Sequence, residues 1–426
     1  MLDRRYVLEN VDVVEENCRR RGAKADVRGF VELETRRRAK QVEVDELNRQ
    51  ANEVSKSIGK AKDAAQREAR KAEGRALREK TAAAQAELEV IIAEADTILH
   101  TIPNLSHPDA PVGVGEAACR EVRRGKHEPP KVNFKPRDHV EIAEALDLVD
   151  FAAGAKVTGH GFYFLKNEAV LLELALQRYA VEALLAEGFV PTITPDLARN
   201  EILHGTGYIP RGPETQIYSI ADTDLSLVAT AEITLGGLLS GEILEPERLP
   251  IKLCGISHCY RTEAGAGGRA ARGLYRVHQF TKVEMFAYTL PDQSEAMLDY
   301  FCELECRLFD GLGIAYRVVD TATGDLGGPA YRKFDLEAWM PGRGEGGEFG
   351  EVTSTSNCTD YQARRLGIRY RTGEKGTAPV HTLNGTAVAV SRALVAILEN
   401  YQQADGSVVV PGVLVPWVGK NRIVAR

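Results

Sequence analysis

The sequence predicts an α+β protein in two parts: a long antiparallel α-helical coiled-coil hairpin, then an antiparallel β-sheet flanked by helices. Three observations predict it. Residues 31–100 contain no proline and only two glycines, and their apolar positions recur at steps of three and four. After about residue 111, strand-like stretches follow one another without regular βαβ alternation. Finally, no GxxxxGK[ST] occurs and no GxGxxG both follows a strand and opens a helix, so the two common nucleotide-binding loops are missing.

The first part spans residues 1–110. One seam runs Phe30, Leu33, Val44, Leu47, Ala51, Val54 and Ile58; a second runs Leu77, Ala84, Leu88, Ile91, Ala95 and Ile98. The pattern weakens between Ala65 and Leu77, and Gly74 sits there, so the two helices are expected to join at that point. Helices of roughly 35 residues would each reach about 50 Å. The seam is narrow, so the hairpin is expected to stand in solvent. "TIPNLSHPDAPVGVG" holds three prolines and ends the second helix.

Charge singles this hairpin out. Arg36 to Lys80 hold 14 Lys/Arg against 8 Asp/Glu, a balance of +6 in a chain whose net charge is -7. A solvated helix face would carry such charge. So would a rod that tracks the phosphates of an RNA helix, which offers mainly shape, phosphates and 2′-hydroxyls. No aromatics interleave the cations, which argues against stacking on single strands.

The second part spans residues 111–426. Asn167–Glu187 reads as a helix ended by Gly188, and "FVPTITP" as an extended segment. "RLPIKLCGISHCYRTE" and "LYRVHQFTKVEMFAYTL" read as strands. "QSEAMLDYFCELECRLFDGLG" reads as a helix with Gly311 past its end. "IAYRVVD", "RKFDLEAWM" and "GEFGEVTSTS" look extended, and "GTAVAVSRALVAILENYQQ" reads as a helix.

Composition excludes several classes. Seven scattered cysteines without a CxxC signal neither a zinc ribbon nor a disulfide framework; reduced thiols in a cytosolic protein are expected. The N-terminus lacks the apolar core of a signal peptide, and no apolar run is long enough to span a membrane.

The chemistry concentrates in "CYRTEAGAGGRAARGLYRVHQFTKVEMF", Cys259–Phe286. Strand side chains alternate faces, so Arg261 and Glu263 share one face, as do Arg276, Phe280 and Glu284 on the return; Val277, Val283 and Met285 point the other way. A set of solvated ion pairs would look similar, but a phenyl ring among charges suits a flat ligand. Arginine forks hold phosphate bidentately. The glycine- and arginine-rich loop, with Arg269 and Arg272, lets backbone close over a ligand at little steric cost. The set suits a nucleoside triphosphate bound without a P-loop. In "EFGEVTSTSN", Glu351, Thr353 and Ser354 offer oxygens to Mg²⁺, which takes one or two carboxylates and phosphate oxygens. Arg392 is the single charge in residues 384–398 and needs a carboxylate or a phosphate as partner.

Together these stretches resemble the three signature motifs of the class II aminoacyl-tRNA synthetases, and within them the serine-specific family. "EGFVPTITP" resembles motif 1, whose Pro195 would lie in a homodimer interface. "YRTEAGAGGRAARGLYRVHQFTKVE" resembles motif 2, and "LNGTAVAVSRALVAILENYQQADGSVVVPGVLVPW" motif 3 with the C-terminal run. The likeness covers nearly the whole chain, including the helical hairpin. It implies a class II catalytic domain over 111–426 and a tRNA-binding domain over 1–110.

The resemblance also implies roles. Arg261 would bind the α-phosphate, Glu263 the adenine amino group, and Arg276 the outer phosphates. Phe280 would stack on adenine, Arg392 would hold the γ-phosphate, and Thr262, Val277, Val352 and Thr353 would line the ATP site. Glu351 and Ser354 would ligate the divalent metal, Mg²⁺. Thr230, Ala231 and Glu232 would meet the serine ammonium, and Glu284, Asn384 and Thr386 its side chain. Arg261 would also reach the serine carboxylate, and Arg261, Arg276 and Arg392 would be the catalytic cations. Ser391, Thr353, Ala270 and Ala271 depart from commoner family residues. The implied partners are serine, ATP, tRNA(Ser) and, where the host has it, tRNA(Sec); the implied location is the cytoplasm. Two other readings are an enzyme charging a carrier protein and a non-catalytic tRNA-binding relative. The basic hairpin weighs against the first, and the complete Arg/Glu set against the second.

Overall fold

The computed structural model describes residues 1–208, 216–263 and 273–426. Arg269, Ala270, Ala271 and Arg272 lie outside the described residues. The chain divides into two compact units, Met1–Leu105 and Ser106–Arg426.

The first unit is dominated by α1 (Val27–Ile58) and α2 (Ala64–Thr101), which pack along their length. Val44, Ala84 and Leu88 are buried between them, with Leu47 and Ile92 against them. The turn falls at residues 59–63, earlier than the expected junction at Gly74, which lies inside α2. The missed signal is a cap. The Asp63 carboxylate accepts from Gln66 N at 2.7 Å, and the Gln66 amide oxygen accepts from Lys62 N at 2.8 Å. A helix-interior glycine costs only about 1 kcal/mol, and Gly74 sits without crowding opposite Val54.

The second unit is built on an eight-stranded sheet. In chain order its strands are β1 (Arg120–Arg124), β2 (Val190–Ile193), β3 (Ile251–Tyr260), β4 (Gln279–Thr289), β5 (Tyr316–Asp320), β6 (Arg332–Met340), β7 (Glu348–Thr359) and β8 (His381–Ala389). They lie side by side as β1-β5-β6-β7-β8-β4-β3-β2. All neighbours are antiparallel except β2, which runs parallel to β3 at the edge. Helices Glu168–Ala186 (α3), Ser294–Gly311 (α5) and Val390–Asn400 (α7) cover one face, burying Val283, Met285 and Ala287 of β4. The short helices Ala231–Gly237 (α4) and Tyr361–Leu366 (α6) cover part of the other, over Phe286 and Tyr288. The remainder of that second face is left open beside Phe280, Lys282 and Glu284 of β4.

Three local readings change. "GTAVAVSRALVAILENYQQ" is a strand and a helix, not one helix: β8 ends at Ala389 and α7 starts at Val390. Both halves are buried, and a continuous apolar run hides the switch from period 2 to period 3.6. Gly311 is the last residue of α5, and Gly313 takes the left-handed conformation, at φ 70°. β4 begins only at Gln279, so Arg276 precedes the strand instead of sharing a strand face with Phe280 and Glu284.

Two bulges re-aim side chains. Leu336 pairs with Thr353 but Glu337 pairs with Glu351, so β7 carries one extra residue at Val352. Thr386 pairs with Glu284 but Val388 with Val283, so β8 carries one extra residue at Ala387. An extra residue shifts the alternation by one. It brings Glu351 onto the cavity with Ser354, and Ala389 onto it with Thr386.

Gly255 on β3 lets α4 close on the sheet. A Cβ there would sit 2.8 Å from Leu235 Cδ1 and 2.9 Å from Ala231 Cβ. Gly255→Val is expected to lose about 1–3 kcal/mol by overpacking and to displace Glu232. Thermal denaturation checks the first effect and a crystal structure of the variant the second.

Candidate active site

The open part of the sheet forms a cavity of about 330 Å³. Its walls come from β4 (Phe280, Lys282, Glu284), β7 (Glu351, Val352, Thr353, Ser354), β8 (Asn384, Thr386), α4 (Glu232), α7 (Arg392) and Arg261. Five separate stretches of chain therefore meet at one place, since β8 runs directly into α7.

At one side two buried carboxylates are held by donors. Glu232 Oε2 accepts from Tyr208 Oη at 3.0 Å, and Oε1 from Gln362 Nε2 at 2.7 Å and Asn384 Nδ2 at 3.0 Å. Gln362 is fixed in turn by Thr382 Oγ1, which donates to it at 2.7 Å. Glu284 pairs with Lys282 Nζ at 2.5 Å and accepts from Thr386 Oγ1 at 3.3 Å. Burial, then the nearby Glu284 charge, pushes the Glu232 carboxyl up to about 7, against the pull of Gln362, Lys282 and Tyr208. Burial, then Glu232, likewise raises the Tyr208 phenol, which stays a donor.

Elsewhere in the cavity the cations gather. Arg392 Nη1 donates to Glu351 Oε1 at 2.8 Å and to the Glu351 carbonyl at 3.1 Å. Burial opposes ionisation of Glu351, but Arg392 and Lys333 outweigh it and hold its carboxyl below the ordinary range. The Glu351 side chain remains 44% exposed and open to a ligand. The Arg261 guanidinium lies over the Phe280 ring at 5.3 Å, leaving the opposite ring face for another group. Arg392 and Arg343 both stack on Tyr275, at 4.9 and 4.7 Å.

The remaining sequence candidates sit around the cavity, except Val352 and Thr353, which line it. Thr230 caps α4, its hydroxyl accepting from Glu232 N at 3.2 Å, and Ala231 is buried against β3. Thr230 thereby orients Glu232. Thr353 turns its hydroxyl toward Glu305 at 2.9 Å, behind the sheet. Val277 and Val352 are buried. Thr262 N donates to the Gln216 carbonyl at 3.0 Å. Arg276 reaches Glu263 at 3.3 Å and is largely exposed. Pro195 follows Thr194 just beyond β2.

Sequence reasoning missed Tyr208, Lys282, Lys333 and Gln362. Lys282 was within reach: it is two residues from both Phe280 and Glu284, so strand alternation puts it on their face. Tyr208 and Gln362 come from distant segments and carry no local signal.

An antiparallel sheet with a cavity lined by arginines, carboxylates and a phenyl ring defines a class II synthetase core. Residues 218–401 match the family model described as tRNA synthetase class II core domain (G, H, P, S and T), and residues 1–106 match the seryl-tRNA synthetase N-terminal domain. A serine–tRNA ligase of Rhodopirellula baltica is 60% identical over 98% of each chain, and one of Rubrobacter xylanophilus 54% identical over 99% of each. The crystal structure of seryl-tRNA synthetase from Pyrococcus horikoshii complexed with ATP superposes with a TM-score of 0.92 at 39% identity, covering 100% of both chains. The chain belongs to the seryl-tRNA synthetase family, the serine–tRNA ligases, and is an aminoacyl-tRNA ligase.

The raised Glu232 carboxyl gives a signed prediction. A carboxyl raised on folding stabilises the folded state below its ordinary value of 4.5, and this contribution is lost as pH rises to about 7. Without substrate, Glu232→Gln removes that loss. The melting temperature of the variant relative to the native chain is therefore expected to rise between pH 4.5 and 7.

Proposed function

We propose that the cavity activates serine with ATP and then delivers it to tRNA, with the residues in the following roles. Serine carboxylate oxygen attacks the α-phosphorus; an oxygen–phosphorus bond forms, the bond to the bridging oxygen breaks, and pyrophosphate leaves. The terminal ribose hydroxyl of tRNA then attacks the seryl carbonyl, loses its proton, and AMP leaves. Neither step needs a protein nucleophile, so catalysis rests on placement and on offsetting phosphate charge.

The observation that carries this reading is the sharing of one cavity by a buried acidic cluster and a cationic cluster. Glu232 takes the serine ammonium, oriented by Thr230 and Ala231, and Asn384, Thr386 and Glu284 take the hydroxyl. Arg261 bridges the serine carboxylate and the α-phosphate. Phe280 offers its free face to adenine, and Glu263 accepts from the adenine amino group beside Thr262 and Val277. Arg276 and Arg392 hold the outer phosphates, and Val352 and Thr353 shape the wall. Glu351 and Ser354 present hard oxygens to one cavity, and the Glu351 carboxylate is accessible, which fits Mg²⁺ with retained waters. Mg²⁺ bound there would neutralise phosphate charge.

Alanine lacks the hydroxyl that Glu284 and Thr386 are placed to bond, so it leaves buried polar groups unpaired. The +6 hairpin binds the phosphates of tRNA(Ser), and of tRNA(Sec) where present. The homodimer forms through the β2 edge and Pro195, where Ile193 is 83% exposed. The seven cysteines are free, consistent with the cytoplasm, and no described helix is long and apolar enough to cross a membrane.

Arg261→Ala and Glu284→Ala are each expected to lower serine-dependent ATP–pyrophosphate exchange by about 10²–10³-fold. Unchanged exchange in either variant would overturn the assignment. Excision of residues 31–100 is expected to abolish tRNA charging while exchange survives; loss of both activities together would deny the hairpin a separate role.

A further inference from the structure

A second polar cluster lies outside the cavity and joins the elements that carry its cations. Glu399 and His139 are both buried, and neither lines the cavity. Glu399 stands on α7, two helical turns beyond Arg392. Its Oε1 accepts from His139 N at 3.1 Å and from His139 Nδ1 at 2.9 Å. Its Oε2 accepts from Gly342 N at 2.9 Å, in the turn that carries Arg343. With Nδ1–H donating to Glu399, His139 Nε2 is left as an acceptor, and Leu274 N donates to it at 3.2 Å.

Leu274 begins the limb that leads into Tyr275, Arg276 and β4. Gly273 before it has φ 81°, and a Cβ there would lie 2.1 Å from His139 Nε2. The limb is thus seated on the imidazole both by a hydrogen bond and by close backbone approach. Tyr275 in turn donates to the Glu351 carbonyl at 3.0 Å and carries the Arg392 and Arg343 guanidiniums stacked on its ring. The His139 segment is itself tied to the chain just past α7: Arg137 N donates to Gln402 Oε1 at 2.9 Å, and Gln402 Nε2 donates to the Arg137 carbonyl at 3.0 Å.

We propose that Glu399 and His139 form a positioning relay that sets the Leu274–Arg276 limb in register with Arg392, so that both cations meet one triphosphate. The relay touches no substrate. It rests on the proposal that Arg276 and Arg392 hold the outer phosphates. A carboxylate on α7 fixes the imidazole tautomer, and the imidazole fixes the backbone of the opposite limb.

Two substitutions separate this role from simple packing. His139→Gln can place its amide oxygen near Nε2 and accept from Leu274 N, losing the side-chain bond to Glu399 but keeping the backbone one. His139→Asn can keep the donor to Glu399 but does not reach Leu274. In serine-dependent ATP–pyrophosphate exchange, His139→Asn and His139→Ala are expected to lower kcat or raise the KM for ATP, together on the order of 10-fold or more. The KM for serine is expected to stay within about 2-fold, because Glu232, Glu284 and Asn384 lie on other elements, a split that placement of one substrate alone produces. His139→Gln is expected to recover most of the loss. Equal activity of the Asn and Gln variants, an unchanged His139→Ala enzyme, or a parallel rise in both KM values would overturn the relay. If His139→Ala does not fold, the Asn–Gln comparison decides. Arg276→Ala and Arg392→Ala, assayed beside them, test the phosphate reading separately: unaffected exchange there would sink that reading, whatever His139 does.

Discussion

Two carboxylates share one buried cavity, and the arrangement around them follows from that constraint. Glu232 lies close enough to Glu284 for the Glu284 charge to disfavour its ionisation. Removing a carboxylate from water is costly unless donors replace the water. Tyr208, Gln362 and Asn384 supply donors to the first, and Lys282 and Thr386 serve the second. These donors come from four separated stretches of chain. The sheet has to bring β4 and β8 into contact, and Gly255 has to admit α4, before either carboxylate is tolerable. The chemistry and the fold are therefore one problem: the strong acceptors of the cavity must be held ready before any ligand arrives.

The cationic cluster solves the converse problem. Arg392 is the single charge on α7's apolar stretch, and Glu351 answers it. That pair is open to the cavity, so an incoming phosphate can share Arg392 without leaving Glu351 stranded. Arg392 and Arg343 both stack on Tyr275, and each has its own carboxylate, Glu351 for the first and Glu348 for the second.

Legibility in the sequence followed physical period. The helical hairpin was readable because a narrow apolar seam recurs over many turns, yet its turn was misplaced: Gly74 is a weaker signal than the Asp63 cap. Phe280 and Glu284 were readable as a pair because they sit an even number of residues apart on a regular strand. Arg276 was assigned to the same strand, which starts three residues later. Glu351 and Ser354 were readable as metal-binding oxygens grouped in one short stretch, although their odd spacing hides the bulge that brings them together. Lys282 was passed over although the same alternation exposes it. Tyr208 and Gln362 act through distant contacts, which no local pattern encodes.

The bulge at Val352 has a consequence for how this segment tolerates length changes. The strand pairs with β6 from Glu348 to Asn357 and with β8 from Thr355 to Thr359, so a lost residue cannot be absorbed in a loop. Deleting Val352 would restore a regular pleat and leave the core almost as apolar as before. It would also turn either the acidic oxygen or the neighbouring hydroxyls away from the nucleotide. Codon-length indels here are thus filtered by chemistry and not by foldability, whereas the turn at residues 59–63 is free of that filter.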